Sequence, residues 1–380
     1  MKTRYPDVIV VGGGVIGMTC AWRLAGAGRR VVLLERERCG SGATSASLGA
    51  LIPSAPTHRR AKQNLQRASL WMWPAFAEEL CDCTGIDVDY RRCGSLDLPH
   101  SEQRHQQVID ETEIANRDWP AFDDGPLMKV FGAEDARALE PAVSFDEFGA
   151  RLCRASAQVS VDILVHALRT ACERASVDIR EQCPVAELDM DGKRVSGART
   201  AREMLPADAV LVAGGAWTAS ISPDVARCAP IVPVKGQAMA LQVDGAPCRH
   251  IVKRRTSYVI PEGDSEALVG STTEREAGFD VRSTAQGVAD LASGALSLIP
   301  ALESAQVVRT WAGLRPDSDT HHPVMGPAPD VEGLFVCSGH FKTGLSWAPM
   351  AGRIMLEWLT EGNVDEAARS FIPSHSAAEQ

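Results

Sequence analysis

The apolar run Val8–Val11 passes directly into three glycines, Gly12, Gly13 and Gly14, and a further glycine follows at Gly17. A second apolar run, Val31–Leu34, closes on the carboxylate Glu35. This order predicts a buried strand, a tight turn, a helix starting near Val15 and a second strand, which is a βαβ opening. Each residue type has a mechanical use. Gly12 permits the turn, Gly14 lets a pyrophosphate approach the backbone, and Gly17 lets helix and strand pack closely. The helix start at Val15 and Ile16 turns free N–H groups and the positive dipole end toward phosphate. Glu35, followed by Arg36, can accept hydrogen bonds from a ribose diol. A glycine-rich turn without a ligand would not need that acid at that distance. The chain reads as a dinucleotide binder, with NAD and FAD both open at this point.

Composition narrows the rest. The chain has 380 residues, 45% hydrophobic and 23% charged, enough for two domains with an ample core. A formal net charge of −10 with no basic block argues against nucleic acid. No stretch of eighteen apolar residues occurs and no basic-then-apolar leader opens the chain, so neither a transmembrane segment nor a secretory signal is expected. The eleven cysteines are scattered without a CxxC pair, as expected of reduced thiols in a cytoplasmic protein. Peripheral attachment to a membrane is left open. The histidines lack ligand spacing, and no metal is expected.

Further along, Cys39–Gly49 is a run of small and polar residues that suits a backbone-rich wall beside the glycine turn. Helical periodicity covers Arg60–Thr84, Ser101–Asn116, Ala133–Leu139 and Val161–Arg174. Strands are expected at Val88–Tyr90, Gly94–Leu98 and Val177–Arg180, and at Val185–Leu188, the last two returning to the first sheet. Asp208–Trp217 reads as a buried strand entering a second glycine turn and a helix. Alternating segments from Pro233 to Gly270 predict an antiparallel sheet, closed by a helix at Ala285–Leu298. Val307–Pro316 and Leu334–Cys337 follow as strands, then a long helix from about Thr343 to Thr360, and a frayed tail after Phe371.

Six segments carry a resemblance in one order: the glycine turn, Gly42–Ser47, Val212–Trp217, Pro233–Gln237, Trp311–Pro316 and Ser338–Gly344. Together they resemble the FAD-dependent D-amino acid oxidase superfamily, most nearly glycine oxidases and related amino acid dehydrogenases. The resemblance implies an α/β fold: a Rossmann-like, glutathione-reductase-type FAD-binding domain with an interleaved α+β substrate domain containing an antiparallel sheet. The expected FAD-binding stretches are 1–85, 145–228 and 305–372. The substrate domain is expected at 86–144 and 229–304, with a flexible tail at 373–380. Besides the glycine turn, cofactor contacts are expected from Thr44, Ser45, Ala46, Gly49, Leu51, Val185, Ala213, Gly214 and Trp217, and from Gly339, His340, Phe341, Lys342, Thr343 and Gly344. The helix beginning there would present its N-terminus to an anionic reduced flavin.

Within that resemblance, Arg315 of the Gly-Leu-Arg-Pro segment would clamp a substrate carboxylate bidentately and aim its α-hydrogen at flavin N5. Tyr258 would cover the bound amino acid. An ion pair of Arg315 with Asp317 or Asp319, and a core role for Tyr258, are the competing accounts. For Lys342 a catalytic charge and a solvated loop lysine stay equally open, and His340 is taken as a packing residue. Ala50 and Ile52 would line the substrate pocket. Glycine oxidases carry small residues where Ile52 stands, and close relatives carry arginine at the Lys342 position, which puts glycine itself in question as substrate. Cys39, Cys337 and His340 are conceivable covalent anchors, but dissociable FAD is expected.

The implied reaction is hydride transfer from the α-carbon of a D-amino acid or glycine-like substrate, giving an imine that hydrolyses to a 2-oxo acid and ammonia. Oxygen or another acceptor would take the electrons, and a homo-oligomer is possible. Two alternatives stand beside it: a secondary-amine (sarcosine- or proline-type) oxidase, and the flavin subunit of a multi-subunit dehydrogenase.

Overall fold

Val8–Val11 is buried along its whole length because it forms the middle of a sheet. It pairs in parallel with Ala209–Val212 on one side and Val31–Leu34 on the other. In this computed structural model, which describes residues 5–54, 60–120 and 125–374, the sheet has six strands. Their order is Val324–Pro327, Leu334–Ser338, Ala209–Val212, Val8–Val11, Val31–Leu34 and Asp178–Arg180. Only Val324–Pro327 runs antiparallel to its neighbour. Burial on both faces explains why the inner strands Val8–Val11, Val31–Leu34 and Ala209–Val212 read as unbroken apolar runs.

The helix Val15–Gly26 leaves the first strand through the glycine turn. A Cβ on Gly17 would stand 1.9 Å from the carbonyl oxygen of Gly12, so this crossing needs glycine for packing. The helices Val161–Arg174 and Gly344–Glu361, with the long helix Arg60–Thr84, share one apolar cluster with Val15–Gly26.

The second large sheet has eight strands, and Val232–Gln242 is its longest well-covered member. Its expected alternation of buried and exposed positions is absent, since eight consecutive residues from Val234 to Leu241 are buried. The alternation persists in a different form. Met239 and Leu241 face the cluster under the helix Ala285–Leu298, whereas Ala238 and Ala240 face a cluster containing Leu48 from the first domain. Both faces are covered, so period two sorts side chains between two cores. Tyr258 and Trp311 fall on the Leu48 side. The sheet is antiparallel except where Ile251–Arg254 pairs in parallel with Ser95–Asp97.

Several expectations need correction. Val88–Tyr90 is irregular: Asp89 sits at φ 53°, which ends any extended run before Arg91 makes an isolated bridge to Gln158. Val185–Asp191 does not join the parallel sheet. The left-handed turn at Gly192 (φ 60°) sends the chain back, and a separate three-stranded antiparallel sheet forms with Arg194–Thr200 and Met204–Pro206. Gly215–Ser220 is a short 3-10 helix. The strands Ala150–Cys153 and Gln306–Asp317 lie within the eight-stranded sheet, whereas the boundaries drawn from sequence put them with the FAD-binding stretches. The second forms the edge beyond Val232–Gln242 and pairs with it from Val232–Asp317 to Gln242–Gln306. The tail assigned to 373–380 lies outside the described residues from 375 onward.

Candidate active site

A cavity of about 590 Å³ runs between the two sheets. Glu35 and Arg36 lie among its lining residues with Gly12, Gly14, Val15 and Ile16, and Tyr258, Arg315 and Lys342 line it from the other sheet and the late turn. The backbone at the glycine turn is presented to it. Gly14 caps the helix with no side-chain bond. The Val15 N–H donates to Thr44 Oγ1 at 3.0 Å, so the small-residue segment is tied directly to the helix start. The Glu35 carboxylate accepts from the backbone N–H of Gly13 at 2.7 Å and of Glu37 at 2.8 Å. Those bonds fix the acid while leaving each oxygen a second lone pair for a ribose hydroxyl. Arg36 lies over the Trp217 ring at 3.4 Å, and Phe279 stacks on the same indole.

Ala46, Gly49, Val185, Ala213 and Gly214 line the cavity as well, with His340, Phe341, Thr343 and Gly344 from the late turn. Four expected cofactor residues do not. Gly17 packs against Gly12, Leu51 is fully buried in the helical core, and Ser45 bonds back to the Gly42 carbonyl at 3.3 Å. Gly339 serves a turn at φ 75° against Ile231 and His322. Among the conceivable anchors, Cys39 packs under Gly13 and its thiol is pushed up to about 12, chiefly by burial. Cys337 is fully buried and its thiol is held well above the usual range for the same cause. His340 is buried against Trp347.

The opposite wall is built around Arg315. Its guanidinium donates to the Thr272 carbonyl at 3.0 Å and to Ser271 Oγ at 2.7 Å. Tyr258 donates its hydroxyl to the same Ser271 oxygen at 3.1 Å. Trp311, Gly313 and Arg315 alternate along one strand, which puts Arg315 on the side of the sheet that faces Leu48. Desolvation lowers the pKa of Arg315, yet an arginine stays charged. The expected rival partners are otherwise engaged. Asp317 pairs with Arg275 at 2.9 Å and with His321 at 3.0 Å. Among the described residues no carboxylate lies within ion-pair distance of Arg315.

Lys342 donates to Thr273 Oγ1 at 3.1 Å and is solvent-exposed at the cavity wall. Surrounding protein, then the charges of Arg315 and Arg275, hold its ammonium down to about 8. Ala50 and Ile52 line the cavity near Leu48. Among the described residues, Glu35 is the only carboxylate that lines the cavity, and no group of three potential metal ligands exists.

Sequence reasoning missed Gly236, Ser271, Lys253 and Arg255, all of which line the cavity. Gly236 had a usable signal: glycine inside a strand marks close approach by another group. Gly313 is a second case, where a Cβ would stand 2.3 Å from that of Ala46.

The donor set fits FAD. Backbone N–H groups and a fixed acid serve the dinucleotide half, and an elongated cleft between two domains can take a flat ring. Comparison with known proteins agrees. Residues 7–358 match the family described as DAO, FAD dependent oxidoreductase. The chain is similar to a glycine oxidase of Pseudomonas aeruginosa, 34% identical over 355 residues, covering 93% of this chain and 94% of that protein. It is similar in structure to glycine oxidase from Geobacillus kaustophilus, with a TM-score of 0.89, 28% identity and coverage of 98% and 100%. Iminodiacetate oxidase from Chelativorans sp. BNC1 gives a TM-score of 0.87 at 25% identity, covering 96% and 98%. This chain belongs to the DAO family of FAD-dependent oxidoreductases, as an amino acid oxidase or dehydrogenase.

Proposed function

We propose that the chain oxidises the C–N bond of a small amino acid, with dissociable FAD along the cavity and the substrate carboxylate on Arg315. When bound, FAD supplies the two-electron acceptor for the α-hydrogen, and the resulting imine hydrolyses to a 2-oxo acid and ammonia. The remaining work falls to side chains already in place. Arg315 is held on its inner side by Thr272 and Ser271, which leaves its orientation settled before substrate arrives. A bidentate guanidinium–carboxylate pair of this kind contributes about 1.5–3 kcal/mol per charged hydrogen bond. Tyr258 steadies Ser271 and covers the same space. Lys342 adds positive charge beside Arg315. Among the described residues no carboxylate lines that end of the cavity, and catalysis rests on orientation and electrostatics without a carboxylate base.

The half-buried Arg315, with no carboxylate within ion-pair distance among the described residues, carries this reading. Anaerobic bleaching of the purified flavoprotein against D-amino acids, glycine, sarcosine and proline tests it. Bleaching by carboxylated amines supports the assignment, and a flavin left oxidised by every one of them refutes it. Similarity to an iminodiacetate oxidase favours keeping secondary amines in that panel.

A further inference from the structure

We infer that the cavity holds a second anion subsite, built from Lys253 and Arg255, which selects amino acids bearing a second carboxylate. The inference rests on the proposed placement of the first carboxylate on Arg315. Lys253 and Arg255 both line the cavity with Tyr258. Register explains why: Lys253 is directly opposite Tyr258 across the hairpin, and directly opposite partners share a sheet face. Contacts therefore run from Arg315 to Ser271 to Tyr258, and the next strand presents Lys253.

The charge of Lys253 is only partly balanced by its surroundings. Its ammonium is 3.6 Å from Asp97 Oδ2, but that oxygen already accepts from Arg104 at 2.9 Å and Arg151 at 2.8 Å. Arg104 and Arg151 also hold Glu111. Three cations thus share two carboxylates, and the one with the longest contact is the one at the cavity. Arg255 makes no ion pair among the described residues. It occupies the hairpin tip at φ 56°, a left-handed position that glycine or asparagine would fill with less strain. Positive charge stands at this spot although the local backbone favours other residue types. A monocarboxylate on Arg315 would leave both side chains unused, while a side-chain or N-linked carboxylate would reach them.

Binding to the holoenzyme tests this independently of turnover. Calorimetry would compare succinate and glutarate with their monoamides, in the wild type and in Arg255→Ala with Lys253→Gln. Diacids are expected to bind about ten-fold more tightly than monoamides, with the preference falling below about three-fold in the double variant. Equal binding of diacid and monoamide, or a preference that survives both substitutions, overturns the subsite. Flavin bleaching by glycine, D-alanine, D-glutamate and D-glutamine separates the two claims. Bleaching without any preference for the acid removes the subsite alone, and no bleaching by any amine removes the proposed reaction whatever calorimetry shows.

Discussion

The Arg315 guanidinium lies flat against Gly236, so closely that a Cβ built there would stand 2.0 Å from Nη2 and 2.2 Å from Cζ. Two neighbouring strands meet at this point, where Lys235 pairs with Leu314 and Gly236 with Gly313. The glycine is a seat for the arginine. Gly236→Ala is expected to push the guanidinium out of its contacts with Thr272 and Ser271, raising KM for carboxylated amines about ten- to a hundred-fold. Flavin content, read from the visible absorbance, should stay at the wild-type level. A KM unchanged by the added methyl would show that Arg315 does not use this seat.

Tyr258 is hydrogen-bonded to the arginine through Ser271. Loss of one neutral hydrogen bond costs about 1 kcal/mol, so Tyr258→Phe should reduce kcat/KM about five-fold. Steady-state kinetics would measure it. A loss of several hundred-fold would mean that the phenol contacts the reacting atoms directly.

Lys342 links the site to pH. Its ammonium titrates at about 8, so it is a cation below that pH and neutral above it. Acetate affinity should therefore fall as pH rises through 8, and Lys342→Met should remove that limb. Because desolvation by the cavity wall, then the charges of Arg315 and Arg275, lower the folded-state pKa from 10.5, the unfolded chain keeps a proton between about 8 and 10.5 that the folded chain has released. Stability from this group consequently rises with pH across that window, and its destabilising effect is complete below 8. An acetate titration flat from pH 6 to 10 would exclude a role for this charge.

Glu35 holds the glycine turn through Gly13 and Glu37 and keeps capacity for a ribose. An amide offers one acceptor oxygen and places donors against backbone N–H groups. Glu35→Gln should weaken FAD binding about ten- to a hundred-fold, measured by fluorescence recovery on adding FAD to the apoprotein. Unaltered affinity would detach the acid from cofactor binding.

The first sheet was legible because a doubly covered parallel strand leaves an unmistakable apolar run, as at Val8–Val11 and Ala209–Val212. The place of Arg315 at the cavity wall was legible through its motif. Ser271 was not, because it reaches Arg315 from a different strand, and nothing local to Ser271 marks that meeting. Val185–Asp191 was misplaced since a strand's sequence does not say which sheet receives it; the turn at Gly192 decides that. The helical and cavity faces of Val232–Gln242 looked like alternation of inside and outside, when both faces pack on apolar side chains. Leu51 was assigned to the cofactor by its neighbours, although period two sends it into the core and Ala50 and Ile52 to the cavity.

Single-turnover bleaching by the best amino acid of the panel, in the wild type and in Arg315→Ala with its flavin intact, shows whether Arg315 holds the substrate for the reaction. Rapid bleaching is expected in the wild type, with a loss of at least about a hundred-fold in the variant. The matching amine without a carboxylate should be equally poor with both. Wild-type rates in Arg315→Ala at the same substrate concentration would contradict that role.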